Sequence, residues 1–267
     1  MALAYAAGIG CKQECYLDDA RPGGLIAPPP ICTSLEWLIT GDPATHSVLG
    51  ITPEERLRAV HAGQDTQFHR PLIAGETVLV SGRIEAIRAT RAGACVTSRL
   101  EVTGSGDNDP ITTSLCDAIY RGVETDASAR RGDDTKIDPR VTATDYVETT
   151  TIPISRVFPH IYSECACIWN PIHTERRIAL AAGLPDIIVH GTALWALVWK
   201  QLSEAHGDLS VLSGRFTAMA IPGQPVTLRA GRQDSETRTL DFRLDNDRGE
   251  PAINAGHATF ARDSFLA

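Results

Sequence analysis

The residues whose types and spacing best support chemistry are Asn170-Pro171-Ile172-His173-Thr174-Glu175. Asn170 can cap a helix, its side-chain oxygen accepting from a backbone N–H three positions on. Pro171 suits a first helical position, where no N–H is needed. His173 then falls in a first turn, where the helix dipole disfavours imidazolium and leaves a neutral ring able to accept a proton. Such a ring is a general base, although the position equally suits a hydrogen-bonded surface histidine. Further on, His190-Gly191 opens a second, longer helix. Without a side chain, Gly191 lets a ligand approach its backbone N–H, and an N–H at a helix start stabilises negative charge, including that of an enolate-like thioester oxygen. Glycine there also relieves crowding where a loop enters a helix.

Glu164 and Glu175 are the candidate acidic partners of His173. Glu175 follows it by two residues, a spacing that does not share a helical face, and Glu164 precedes the corner. Trp169, Trp195 and Trp199 are candidates for the wall of a pocket, and each is also a core residue in waiting. Cys165, Cys167 and His173 lack the spacing and the fourth ligand of a structural zinc site, so no metal is expected. No strand–GxGxxG–helix pattern occurs, and no cofactor is expected.

Behind these residues stand the elements that must hold them. In the longer helix, TALWALVWKQLSEAHG, Leu194, Trp195, Val198 and Leu202 form one apolar face, and Leu197 and Trp199 widen it. A helix apolar over most of its circumference needs burial on most sides, which a curved antiparallel sheet wrapped around it would supply. GRFTAMAIPGQPVTLRAG, ETRTLDFRLDN and PAINAGHATFA follow as strand-like runs. The first half has a similar order: a short helical piece, a Pro28-Pro29-Pro30 run, ICTSLEWLI, then PLIAGETVLVSGRIEAIRA, ACVTSRLEVTG and PITTSLCDAIYRG. PLIAGETVLV and AIPGQPVTLRA occupy similar places, a repeat of pattern more than identity. The polar stretch 121–140 separates the halves. The expected organisation is a first unit at 1–125, a linker at 126–140 and a second unit carrying the candidate site at 141–267.

Of 267 residues, 43% are hydrophobic and 22% charged, which excludes general disorder. The net charge of −8 argues against nonspecific nucleic-acid binding. The seven cysteines, odd in number and scattered, read as reduced thiols. No signal peptide or transmembrane span is read, and a cytoplasmic location is the expectation.

The stretch YSECACIWNPIHTERRIALAAGLPDIIVHGTALWA, residues 162–196, resembles the MaoC-like dehydratases, a group that includes the R-specific enoyl-CoA hydratases. IAPPP and FHRPLIAGETV resemble the degenerate first unit of two-unit members. The resemblance implies an α+β double hotdog, two curved antiparallel sheets each wrapped around a long helix. It implies an acyl thioester substrate, on coenzyme A or an acyl carrier protein, with no nucleic acid and no membrane partner; homodimers are common in the family. His173 matches the family histidine, Gly191 the glycine whose N–H binds the thioester oxygen, and Asn170 the asparagine shaping the corner. The family corner reads GDxNPxH, and its aspartate is Ile168 here. A lyase adding or removing water across the C2–C3 bond is the first expectation. An isomerase or cyclase using His173 as base on a polyketide-like intermediate is the second, and a non-catalytic acyl-binding or hotdog partner subunit the third.

Overall fold

A computed structural model describes residues 1–106, 109–126 and 145–262. Apart from Asp126, the expected linker at 126–140 lies outside the described residues. The chain opens with α1 (Ala2–Gly8) and α2 (Glu14–Leu17), then β1 (Ile26–Ala27), a 3₁₀ turn at Pro29–Ile31, and α3 (Cys32–Thr40). Two short helices follow, α4 (Pro43–Val48) and α5 (Pro53–Arg56). Each starts on a proline behind a capping side chain: Asp42 accepts from Ala44 N–H, and Thr52 and Glu55 cap each other's backbone reciprocally. The first half is completed by β2 (Ala59–Phe68), β3 (Leu72–Ile73), β4 (Val78–Thr90), β5 (Gly93–Gly104) and β6 (Pro110–Arg121). Beyond residue 145 come β7 (Tyr146–Ile152), α6 (Phe158–Ala166), a 3₁₀ turn at Pro171–His173, α7 (Arg176–Ala181) and α8 (Gly191–His206). The last strands are β8 (Leu209–Phe216), β9 (Val226–Gly231), β10 (Thr239–Asp245) and β11 (Pro251–Phe260).

The α+β expectation holds, but the sheets differ from it. The strands of both halves form one nine-stranded sheet in the order β4-β5-β6-β2-β8-β11-β10-β9-β7, with antiparallel pairs throughout, while β1 pairs with β3 alone. The halves join where β2 meets β8, Gly63 opposite Arg215 and Thr66 opposite Leu212. Pairing these two strands leaves neither as an open edge. Asp117 on β6 fastens the junction, accepting from Arg88 of β4 at 2.7 Å, Arg215 of β8 at 2.5 Å and Thr97 of β5 at 2.5 Å. Burial raises its pKa, but the hydrogen bonds from Arg88, Thr97 and Arg215 and the charge of Arg88 together outweigh burial and hold the carboxyl below its ordinary value.

Among the described residues, only the second half has a long helix. α8 runs 16 residues, whereas α3 stops after nine, at Gly41 and just ahead of the Pro43 helix start. Leu194, Trp195, Val198, Trp199 and Leu202 of α8 are all buried. Burial of each such side chain contributes roughly 1.5–3 kcal/mol, an upper figure because unfolded chains already bury some surface. On β8, Gly214 leaves room for Ile253 of the neighbouring strand β11: a Cβ at residue 214 would lie 2.7 Å from its side chain. The leading helices also pack on the second half. Tyr5 of α1 lies 6.0 Å from Tyr162 of α6, and Tyr16 of α2 lies 5.9 Å from Trp199 of α8, ring centre to ring centre. Among the described residues, no helix is long and apolar enough to cross a membrane.

Candidate active site

α6 ends at Cys167, whose backbone is left-handed at φ +56°. A side chain is unfavourable there, but the turn directs Ile168 into the core, where it is 5% exposed and donates its N–H to Ser163 O at 3.1 Å. Asn170 then caps the 3₁₀ turn, its Oδ1 accepting from Ile172 N–H at 3.4 Å, two positions on rather than three. His173 is the last residue of that single turn, not part of the first turn of an α-helix. So short an element has little dipole to offer, and the neutrality expected of His173 has another cause. The side chain is buried, 9% exposed, and burial pushes its pKa down to about 4 against a favourable bond to Ile188. Nδ1 donates to Ile188 O at 2.9 Å; because a carbonyl only accepts, the proton is on Nδ1 and the Nε2 lone pair is the basic one.

The corner lies beside the start of α8. The His190 ring, 1% exposed, stacks on His173 with centroids 3.7 Å apart and planes inclined by 25°. His190 is the N-cap residue of α8, so Gly191 follows directly and its N–H is among those without an intrahelical acceptor. His190 Nε2 shares a 3.0 Å hydrogen bond with Ser163 Oγ from α6, and Nδ1 has no hydrogen-bond partner. Burial pushes His190 down to about 2, with the neighbouring His173 acting in the same direction.

The wall beside Gly191 is Phe216, at the end of β8. A Cβ on residue 191 would lie 3.2 Å from its ring, so glycine here answers a steric need. The His61 ring of β2 packs against Phe216, centroids 4.6 Å apart and planes tilted by 42°, and donates Nε2–H to Gln64 Oε1 at 3.0 Å and Gly63 O at 3.1 Å. The first half thus reaches the site wall through β2.

The other anticipated residues are placed differently. Glu164 is exposed and its carboxylate accepts from Trp169 Nε1 at 3.2 Å. Glu175 is exposed at the N-cap of α7. Among the described residues neither is hydrogen-bonded to His173, whose ring bonds to a backbone carbonyl instead. Trp169 is 59% exposed and donates its Nε1–H to Glu164. Trp195 and Trp199 belong to the core; Trp195 backs Phe216 at 6.2 Å, and Trp199 faces α2. Cys165 and Cys167 are free thiols, and among the described residues no cluster of three or more His, Cys, Asp or Glu side chains could hold a metal. Two shallow recesses lie around Pro29, Phe68 and Arg70 and include no residue of the His173 corner.

Ser163, His190, Phe216 and His61 were not singled out by the sequence reading. The histidine immediately ahead of Gly191 was a visible signal; the contacts of Ser163, Phe216 and His61 depend on pairing across elements and carried none.

Two family models match the chain: the MaoC like domain over residues 142–244 and the FAS1-like, dehydratase domain region over residues 3–113. The peroxisomal hydratase-dehydrogenase-epimerase of Saccharomyces cerevisiae is 33% identical over 67 residues, 25% of this chain and 7% of that protein. The enoyl-CoA hydratase ChsH3 of Mycobacterium tuberculosis is 33% identical over 64 residues, 22% of each. The matched stretches therefore span well under two thirds of these relatives. A crystal structure of a MaoC-like dehydratase from Phytophthora capsici superposes with a TM-score of 0.82 at 17% identity, covering 98% of this chain and 92% of that one, a likeness of fold.

Proposed function

We propose that this chain, whose residues 142–244 match the MaoC like domain and residues 3–113 the FAS1-like, dehydratase domain region, is a MaoC-like dehydratase that reversibly adds or removes water across the C2–C3 bond of an acyl thioester. One observation carries the reading: the His173 imidazole stacks at 3.7 Å on the residue that directly precedes Gly191, so that a base and a helix-start N–H serve one small volume. In dehydration, His173 Nε2 takes a proton from C2 of a 3-hydroxyacyl thioester. The negative charge that develops on the thioester oxygen is held by Gly191 N–H. The C2–H electron pair becomes the C2–C3 double bond, hydroxide leaves C3, and the imidazolium returns its proton to it as water. Hydration runs the same steps backwards. One histidine both receives and returns the proton, so the cycle closes without a second acid.

The hydratase named among the relatives favours coenzyme A as the acyl carrier in this reading. The first unit completes the wall of the acyl site through His61 of β2, which backs Phe216 of the second unit, in keeping with a two-unit hotdog in which the second unit holds the base. The buried Ile168 at the corner favours a second reading, isomerisation by a base that positions no water.

Mass spectrometry of a panel of enoyl and 3-hydroxyacyl thioesters incubated with the protein separates these. A gain or loss of about 18 Da, the mass of water, is expected. Products of unchanged mass support isomerisation, and an unchanged panel overturns both.

A further inference from the structure

The site holds a buried hydrogen-bonded pair that the proposed reaction does not use. Ser163 lies on the buried face of α6 beside Tyr162, and its hydroxyl meets His190 Nε2 at 3.0 Å. The His190 ring is flanked by Tyr162, at 5.1 Å and tilted by 57°, and by His173, at 3.7 Å and nearly parallel. His173 itself is tied to protein by one hydrogen bond, from Nδ1 to Ile188 O. A single bond at one edge leaves an imidazole free to swing, because its outer torsion is broad. The stacked face of His190 removes that freedom and fixes the plane in which Nε2 lies. Residue 168, where the family corner has a carboxylate, supplies only a buried isoleucine side chain.

We propose that Ser163 and His190 are positioning residues for the base: the serine hydroxyl fixes the His190 ring, and the His190 face aims His173 Nε2 at the substrate. This rests on the reading of His173 as that base. The choice of serine has a chemical logic. A hydroxyl both donates and accepts, so it holds neutral imidazole in place without drawing a proton onto it. A carboxylate in its place would favour imidazolium on His190, and a cation stacked at that distance would oppose the proton that His173 must accept. Burial keeps both rings neutral. The groups acting on the pair are few: the Ile188 carbonyl on His173, and the Ile168 backbone, His173 and His160 of α6 on His190. Tyr162 is the titratable side chain from α6 that faces His190, and burial holds its hydroxyl above its ordinary pKa.

The test is nitrogen-15 NMR of histidine-labelled protein, with steady-state kinetics alongside. In the native protein His173 should be a single Nδ1–H tautomer. In S163A, a helix-compatible change, that resonance should give way to a tautomer mixture, and kcat should fall about tenfold at unchanged KM. In H190A the midpoint of His173 should rise towards the ordinary histidine range, because water reaches the exposed ring face. H190F keeps a stacked ring without the serine bond and should resemble S163A; with S163A it decides the matter should H190A fail to fold. Unchanged His173 tautomer and midpoint in folded S163A and H190F overturn the proposal, whatever the turnover. If no thioester reacts with native protein, the reaction assignment falls, and the NMR comparison still decides whether the pair holds His173.

Discussion

The two halves bury polar side chains at the base of their helices in opposite ways. In the first half, Glu36 of α3 ends a closed chain of donors. His61 donates to Gln64 at 3.0 Å, Gln64 to Thr66 at 2.9 Å and to Glu36 at 3.2 Å, Thr66 and Ser114 meet at 2.9 Å, and Ser114 reaches the other Glu36 oxygen at 2.5 Å. Both carboxylate oxygens are answered. In the second half, His173 Nε2, His190 Nδ1 and the first N–H groups of α8 are left without such closure. A satisfied network gives rigidity, while buried groups held in position with capacity unused are available to a substrate. The contrast assigns stability to the first cluster and chemistry to the second, and it can be broken from either side.

The largest expected effect is on the second cluster. His173→Ala should lower turnover by about 10³-fold, the range of a lost general acid–base group, with little change in urea midpoint. Rates from a stopped-flow enoyl thioester assay check this; a variant within a few-fold of native removes His173 from the chemistry. The mirror change, Glu36→Ala, should cost about 3 kcal/mol of stability, because Ser114 and Gln64 lose a buried charged acceptor. Its turnover per folded molecule should be unchanged. Urea unfolding and activity on the same samples separate the two outcomes, and loss of turnover without loss of stability would place Glu36 in the chemistry.

An intermediate effect is set by pH. Burial lowers His173 to about 4, so the base is neutral at pH 7 and kcat/KM should stay level down to about pH 5, then fall as the ring protonates around pH 4. The same shift acts on the fold. With the native pKa below the unfolded value of about 6.5, the unfolded chain binds more protons between those two values. Stability contributed by neutral His173 is therefore complete above pH 6.5 and is lost as pH falls towards 4. A kcat/KM profile midpoint near 6.5 would mean the ring is solvated and would dissolve the contrast with an exposed histidine.

How much of this was legible in the residues depended on range. The α8 helix, its buried tryptophans and the Asn170 turn are local: periodicity and capping chemistry lie within one stretch of chain. The resemblance to the MaoC like domain, whose model matches residues 142–244, was legible from the corner and the helix start. The single sheet was not, since the β2–β8 pairing is decided by long-range register. Nor was the cause of His173 neutrality, because burial is a property of the assembled core, whereas the dipole invoked for it requires a longer helix than the three-residue turn that forms. Ser163 and His190, 27 positions apart, meet because α6 and the α8 start pack together, and nothing in their local sequences announces it.

The smallest expected effect tests whether the missing carboxylate has been moved elsewhere. Glu164 and Glu175 flank the corner in sequence, yet the first is engaged with the exposed Trp169 and the second sits at the solvent-facing start of α7. Glu164→Gln and Glu175→Gln should each leave kcat within about twofold and stability within about 0.5 kcal/mol, as for surface changes away from special contacts. The decisive measurement is the double variant. If the two glutamates share a proton-handling duty, each can mask the other's loss and only the pair together will slow turnover; if the single imidazole shuttles its own proton, the double variant also keeps its rate. A large loss in the double variant alone would put the acid back at the rim and take the Ser163–His190 pair out of the role that an absent carboxylate leaves open.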